Sequence, residues 1–185
     1  MPRTLASLVA AQLKKIIKAD EEYYTAAVDP EDIQTIYVLV GNLPDNYMGG
    51  QYLYKLTIPT DFPEKPPHLF ALTPNGVFQT GGQICVSIGT FHQSDHKNSN
   101  SKGDYGWRPA IGLGGFVLNG VVNAMLHFDS NDHGIRIEIQ SPEEKKILAN
   151  KSTEYNKTKL GHIQKLFDDL KESMPKLKIW DSLSL

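Results

Sequence analysis

Strand-like and helix-like patterns are segregated along this chain, and their order limits the fold more than any other feature. A helical repeat of apolar residues runs from Leu5 to Ile17, with Thr4 as a candidate cap. Four strand-like stretches follow, at residues 22–28, 33–40, 51–58 and 68–73. Their short connections favour an antiparallel meander. Helical patterns return only after Trp107, so the order predicts an α+β fold rather than alternating α/β units.

The C-terminal third predicts two further helices. Ser141-Pro142-Glu143-Glu144 is typical of a helix start, with serine as cap, proline at the first position and glutamate at the third. An amphipathic repeat ends at Pro175 and consists of Ile163, Leu166, Phe167 and Leu170. We predict a first domain of residues 1–160 and a helical extension of residues 161–185.

Length, charge and cysteine content exclude several classes of protein. The 185 residues suit one ordinary domain with its own core. A single cysteine, Cys85, excludes an intramolecular disulfide and a disulfide-rich secreted scaffold. The 19 basic and 21 acidic residues give a net charge of −2, so nucleic acid is not an expected partner. The N-terminus lacks the layout of a signal peptide, which favours a cytoplasmic protein.

Two stretches of the chain carry no Asp, Glu, Lys or Arg, namely residues 66–94 and 109–128. The second is long enough to cross a membrane. It contains Pro109, four glycines and three polar side chains, Asn119, Asn123 and His127. We therefore predict a core helix here and no membrane span in this chain.

Cys85 lies inside the first charge-free stretch and has two interpretations. A free cysteine is commonly a small core residue, and it can also be a nucleophile. No charged side chain lies within nine positions of it, so no local cation lowers its pKa. A reactive Cys85 would be a high-pKa thiol, suited to exchanging thioesters. A Cys–His pair with His92 or a distant histidine, as in thiol hydrolases, remains open.

Five short motifs stand in order around Cys85: Tyr47-Met48-Gly49-Gly50-Gln51-Tyr52, Phe62-Pro63-Glu64-Lys65-Pro66-Pro67, Thr73-Pro74-Asn75-Gly76, Gly82-Gln83-Ile84-Cys85-Val86-Ser87-Ile88 and Trp107-Arg108-Pro109-Ala110. Together they resemble the ubiquitin-conjugating enzymes over about residues 5–160. Thr73 stands where most of that family has histidine. That departure and the ten-residue step from Asn75 to Cys85 are most similar to the class tail-anchored in the endoplasmic reticulum, which serves its degradation pathway.

The resemblance implies a mechanism without a cofactor. Cys85 would accept ubiquitin as a thioester from the activating enzyme of this ATP-dependent pathway. It would then pass ubiquitin to a substrate lysine or to a ligase cysteine. Asn75 matches the family asparagine that supports the oxyanion or the loop beneath it, and a turn role fits it equally. Asp132 falls near the family's acidic gate, with Asp129, Asn131 and His133 as alternatives.

The resemblance also implies partner surfaces. Lys14 and Lys15 match the first helix, which meets the activating enzyme, and Pro109 and Ala110 match a loop that touches ubiquitin ligases. Phe62, Pro63 and Glu64 match a second ligase loop. Glu64 stands where many members carry an aromatic anchor, so we expect weaker pairing with the usual ligases. The stretch between Cys85 and Trp107 is longer than in most members, and its residues 92–106 are Asn/Ser/Lys-rich.

Other interpretations are less favoured. An inactive ubiquitin-binding scaffold of the same fold generally lacks the cysteine that this chain keeps. His92 and His96 have no third ligand nearby, so we expect no metal. The tail-anchored class ends in a membrane helix that this sequence lacks. We therefore expect a cytoplasmic protein, held at the cytosolic face of the endoplasmic reticulum if a tail was removed.

Overall fold

A computed structural model describes residues 4–89, 106–181 and 183. It confirms the predicted α+β order of one helix, an antiparallel sheet and further helices. The strands are β1 (Tyr24–Val28), β2 (Thr35–Val40), β3 (Tyr52–Thr57), β4 (His68–Ala71) and β5 (Gln83–Ile84). The helices are α1 (Leu5–Ala19), α2 (Gly112–Val117), α3 (Asn123–His127), α4 (Pro142–Lys159) and α5 (Gly161–Ser173), with a π-helical turn, Leu118–Val122, between α2 and α3.

Both predicted helix starts are confirmed by their caps. The Thr4 side chain accepts a hydrogen bond from the Ser7 backbone N–H at 3.2 Å, so α1 begins directly after it. At α4, Ser141 and Glu144 form a reciprocal capping box, with Pro142 in the first turn. Local side-chain chemistry therefore sets where these two helices begin.

The sheet has five antiparallel strands in sequence order, one more than predicted. The four predicted strands are present with slightly shorter bounds. The added strand, β5, has two residues and pairs with β4 through Leu69 and Ile84. Ile84 is buried, and this short pairing fixes the backbone immediately before Cys85.

The helical run from α2 to α3 covers the inner face of the sheet. By length and composition, Pro109–His127 is the one helical run among the described residues that could cross a membrane. Ile111, Leu118 and Leu126 are partly buried, but most of its large apolar side chains are fully buried inside the domain. These include Leu113, Phe116, Val117 and Val121, which share one core cluster with Val38, Tyr54 and Leu56 of the sheet. A core helix meets the same criteria of length and composition, and the burial seen here is typical of a core helix.

The outer face of the sheet is covered by the C-terminal segment. Tyr37, Leu39 and Leu53 point to this face because strand side chains alternate. They form a second buried cluster with Ile163, Phe167, Ile179, Trp180 and Leu183. Polar contacts add to the packing, since the Lys178 backbone N–H donates to Asp20 Oδ1 at 2.9 Å. The predicted boundary at residue 160 stays a prediction, but the segment after it packs on the sheet.

Candidate functional site

Cys85 follows β5 at the surface of the domain. Its neighbours Ile84 and Val86 are buried, whereas Cys85 itself is half-buried. Its backbone N–H donates to the Ile135 carbonyl at 3.0 Å. A Cβ atom placed on Gly134 would lie 4.0 Å from the Cβ of Cys85. The segment 134–137 therefore runs alongside the cysteine, although some fifty residues of chain separate the two.

The environment of Cys85 keeps the thiol protonated at neutral pH. Burial raises its pKa, and a backbone hydrogen bond from Ile135 opposes the shift only in part. This confirms the high-pKa thiol expected from the charge-free stretch. A protonated thiol is a poor nucleophile toward an amide. A thioester is already activated, so a thiol can exchange with it without a strongly lowered pKa.

We expect the alkylation rate of Cys85 by iodoacetamide to rise about tenfold per pH unit from pH 7 to 9. The thiolate is the reacting form, and its fraction grows tenfold per unit below the pKa. Because this is the single cysteine, whole-protein mass spectrometry measures the rate directly. The same chain unfolded in urea is the matched control and should level off at lower pH. A plateau below pH 8 in the folded protein would contradict the raised pKa.

Asn75 is buried and braces the loop in which it lies. Its Oδ1 accepts the backbone N–H groups of Val77 at 3.0 Å and Phe78 at 2.8 Å. Its Nδ2 donates to the carbonyls of Thr73 at 3.0 Å and Phe78 at 3.4 Å. The amide oxygen and nitrogen thus both contact the loop, and the role of Asn75 in catalysis stays a prediction.

Thr73, the departure from the usual family residue, anchors this loop to the rest of the domain. Its Oγ1 accepts the Leu53 backbone N–H at 2.9 Å and donates to Asn156 Oδ1 at 2.6 Å. Asn156 in turn donates to the Gln51 carbonyl at 3.0 Å. The loop that carries Asn75 is therefore tied to both β3 and α4 through buried polar side chains.

Asp132 lies in a self-contained turn near Cys85. Its Oδ2 accepts the Asp129 backbone N–H at 2.8 Å, while Asp129 Oδ1 accepts that of Asn131 at 2.8 Å. His133 Nδ1 contacts the Asn131 carbonyl at 2.9 Å. All four candidate residues thus belong to one turn that ends directly before Gly134. The geometry brings the turn to the cysteine, and the gating role of Asp132 stays a prediction.

A short antiparallel pairing holds this turn in place. The Gln79 backbone N–H donates to the Arg136 carbonyl, and that of Glu138 to the Val77 carbonyl, each at 2.9 Å. Sequence reasoning missed Ile135 and Arg136, which this pairing places beside the Cys85 loop. Ile135 is 53% exposed, and no periodicity or spacing in the sequence links either residue to Cys85.

The two predicted ligase loops are joined by Trp107. Its indole N–H donates to the Pro63 carbonyl at 2.7 Å. Phe62 is buried, with its ring centroid 6.1 Å from that of Trp107, so it supports the loop and presents no ring to a partner. Glu64 is exposed in the same loop.

A groove joins the other predicted partner residues. Lys15 on α1 and Pro109 and Ala110 line one cavity of about 330 Å³ between the helix and the segment before α2. Lys14 is exposed on the same helix and is not among the groove's lining residues. Residues of α1 and of the segment before α2, far apart along the chain, therefore line one groove.

Metal ligation finds no support in the described residues. Within 4–89, 106–181 and 183, no group of three His, Cys, Asp or Glu side chains could hold a metal ion. His92 and His96 lie outside the described residues, as do residues 92–105 of the long stretch after Cys85.

Comparisons with known proteins identify relatives. No family model matches the sequence. Over 163 residues the chain is 29% identical to ubiquitin-conjugating enzyme E2 6 of Candida glabrata, covering 87% of this chain and 60% of that protein. Over 126 residues it is 31% identical to human ubiquitin-conjugating enzyme E2 J2, covering 68% of this chain and 44% of that protein. The solved structure of human ubiquitin-conjugating enzyme E2 G1 matches with a TM-score of 0.50 and 26% identity, over 64% of this chain and 92% of that one.

These relatives extend beyond the region that is shared. The chain spans about 60% of the length of the Candida glabrata protein, and a similar share of the other E2 6 relatives. The structural match supports the α+β fold class.

Proposed function

We infer that this chain, which belongs to the ubiquitin-conjugating enzyme family, accepts ubiquitin from the activating enzyme as a thioester on Cys85 and passes it on. The observation that carries the proposal is Cys85 itself. It is half-buried at the end of β5, its pKa is raised, and it lies in the motif that the family resemblance rests on. A buried structural cysteine would need neither the surface position nor the turn that folds against it.

The proposed chemistry needs no strong base. The Cys85 sulfur attacks the carbonyl carbon of the ubiquitin thioester on the activating enzyme. A new carbon–sulfur bond forms, the old one breaks, and the proton of Cys85 goes to the departing thiolate. In the second step, a lysine amine or a ligase thiol attacks the Cys85 thioester. A new amide or thioester bond forms, the carbon–sulfur bond to Cys85 breaks, and the proton lost by the nucleophile goes to the departing Cys85 thiolate. Both steps exchange one activated acyl group, so they depend on positioning more than on acid–base catalysis.

Two side chains support this role by their placement. Asn75 holds the loop of residues 73–78, and that loop pairs with the segment beside Cys85. Asp132 lies two residues before Gly134, so at most ~7 Å of chain separates their Cα atoms. We propose that Asn75 is a positioning residue. We also propose that Asp132 orients the incoming amine or accepts a hydrogen bond from it.

Partner surfaces follow from the same premise. We propose that Lys14 and Lys15 on α1 meet the activating enzyme, and that Pro109, Ala110 and Glu64 meet a ligase. All five side chains are exposed. Thr73 and the ten-residue step from Asn75 to Cys85 resemble the class associated with the endoplasmic reticulum. We therefore propose that the protein works in degradation at the cytosolic face of that membrane.

Incubation with activating enzyme, ATP and ubiquitin, followed by a non-reducing gel, tests the proposal. We expect an adduct larger by one ubiquitin that disappears on addition of thiol reductant and does not form without ATP. No adduct with a panel of activating enzymes and ubiquitin-like modifiers would sink the enzymatic proposal. Ubiquitin binding without any adduct would instead indicate a scaffold.

A further inference from the structure

Arg136 has a backbone conformation that its side chain makes unfavourable. Its φ is +66°, in the left-handed region that glycine adopts freely and other residues rarely do. The adjacent residues have fixed contacts, since the Ile135 carbonyl accepts from Cys85 and the Arg136 carbonyl from Gln79. Strain of this kind beside a reactive group often accompanies a functional side chain. A glycine at this position would relieve the strain. The presence of an arginine here therefore suggests a role for its side chain.

The guanidinium lies against the loop that leads to Cys85. A Cβ atom on Gly82 would sit 2.6 Å from Nε and 2.8 Å from Nη2 of Arg136. A side chain at position 82 would displace the guanidinium from this place, so the glycine leaves room for Arg136 beside the loop. Gly82 is three residues before Cys85, so at most ~10 Å of chain separates their Cα atoms.

The charge of Arg136 is not neutralised by a neighbour. Within residues 4–89, 106–181 and 183, Arg136 forms no ion pair with a carboxylate. Glu138 lines the same cavity of about 270 Å³, but its carboxylate accepts a hydrogen bond from Gln79. Arg136 is exposed, so its guanidinium stands free to meet a group on another molecule.

The segment of residues 134–136 forms one side of the surface around Cys85. Gly134 lies against Cys85, Ile135 exposes an apolar side chain next to it, and Arg136 adds a positive charge. We propose that Arg136 is a specificity-determining residue that favours acceptors carrying a carboxylate close to the acceptor lysine. This inference rests on the proposed function and names the acceptor class for the same site.

Discharge to paired peptides tests the inference. The chain is loaded with ubiquitin, ATP is removed, and capped single-lysine peptides with either Asp or Asn two residues from the lysine are added. We expect the Asp peptide to discharge the adduct about twofold to fivefold faster, the range that exposed ion pairs give. Raising the salt concentration should shrink the ratio, because screening acts within about 10 Å at 0.1 M.

Variants assign the preference to Arg136, with equal amounts of adduct in each assay. Arg136→Glu should invert the ratio, Arg136→Lys should keep most of it, and Glu138→Gln should increase it. Arg136→Gly should lose the preference while its melting temperature stays equal or rises, because the left-handed backbone suits glycine.

Three results would overturn the inference. A ratio of one in the unmodified chain removes the acceptor preference while leaving the proposed function intact. Equal slowing of both peptides by every Arg136 variant would show a structural role instead. Failure of the unmodified chain to form any adduct would overturn the proposed function and this inference together.

Discussion

Replacement of Cys85 by alanine is expected to abolish the ubiquitin adduct completely, and replacement by serine to make it resistant to reductant. Alanine removes the only thiol in the chain, so no other residue can form a thioester. Serine offers an oxygen in nearly the same place, and the resulting ester is not cleaved by thiols under conditions that cleave a thioester. Serine is the weaker nucleophile, so its adduct should form more slowly.

Ser87 provides the matched control for these variants. It is exposed two residues beyond Cys85, on the same segment after β5, and none of the hydrogen bonds at the site involves its side chain. Ser87→Ala should therefore charge at the rate of the unmodified chain. Thermal melting of all three variants separates loss of chemistry from loss of folding. A reductant-sensitive adduct in Cys85→Ala would show that the thioester proposal is wrong.

The elements that were predictable from the sequence are those whose signals are local. Thr4 and Ser141 cap helices with their own side chains, so both starts can be read from a few neighbouring residues. β3 alternates with period two and β2 is a β-branched apolar run, so both are recognisable without tertiary information. The two residues of β5 are too few to show any alternation, and only pairing with β4 makes them a strand.

The site was less predictable because distant segments build it. The motif around Cys85 marks the nucleophile, but the contact between Cys85 and Ile135 joins parts of the chain that share no pattern. Phe62 shows the converse difficulty. An irregular, proline-rich loop has no periodicity to tell an exposed side chain from a buried one, and the structure buries Phe62 against Trp107. The same limit applies to α5, whose apolar stripe was predictable but whose packing partner was not.

Asn75→Ala is expected to lower the free energy of unfolding by about 2–4 kcal/mol. The side chain satisfies the N–H groups of Val77 and Phe78, both of which lie in the core. Its removal leaves two buried donors without a partner, each costing roughly 1–3 kcal/mol. Urea unfolding measures the loss. A change below about 0.5 kcal/mol would show that the loop does not depend on this side chain.

The kinetic effect of Asn75 separates its two possible roles. An oxyanion donor must give up a hydrogen bond that it makes in this structure, and the bond to the Phe78 carbonyl, at 3.4 Å, is the weaker one. Asn75→Asp keeps the acceptor oxygen for Val77 and Phe78 but cannot donate to an oxyanion when ionised. If Asn75 acts by positioning the loop, discharge by the Asp variant should fall between alanine and the unmodified chain.

The comparison is decisive when charging and discharge are measured separately. Both steps pass through a tetrahedral oxyanion at Cys85, so a donor role predicts comparable losses in each. A positioning role predicts a larger loss in discharge, because the loop of residues 73–78 pairs with the segment that follows Asp132 and contains Arg136, the two residues proposed to meet the acceptor. We expect charging to fall less than tenfold and discharge to lysine to fall tenfold or more in Asn75→Ala. Parallel losses, with the Asp variant as slow as alanine, would assign Asn75 to the oxyanion instead.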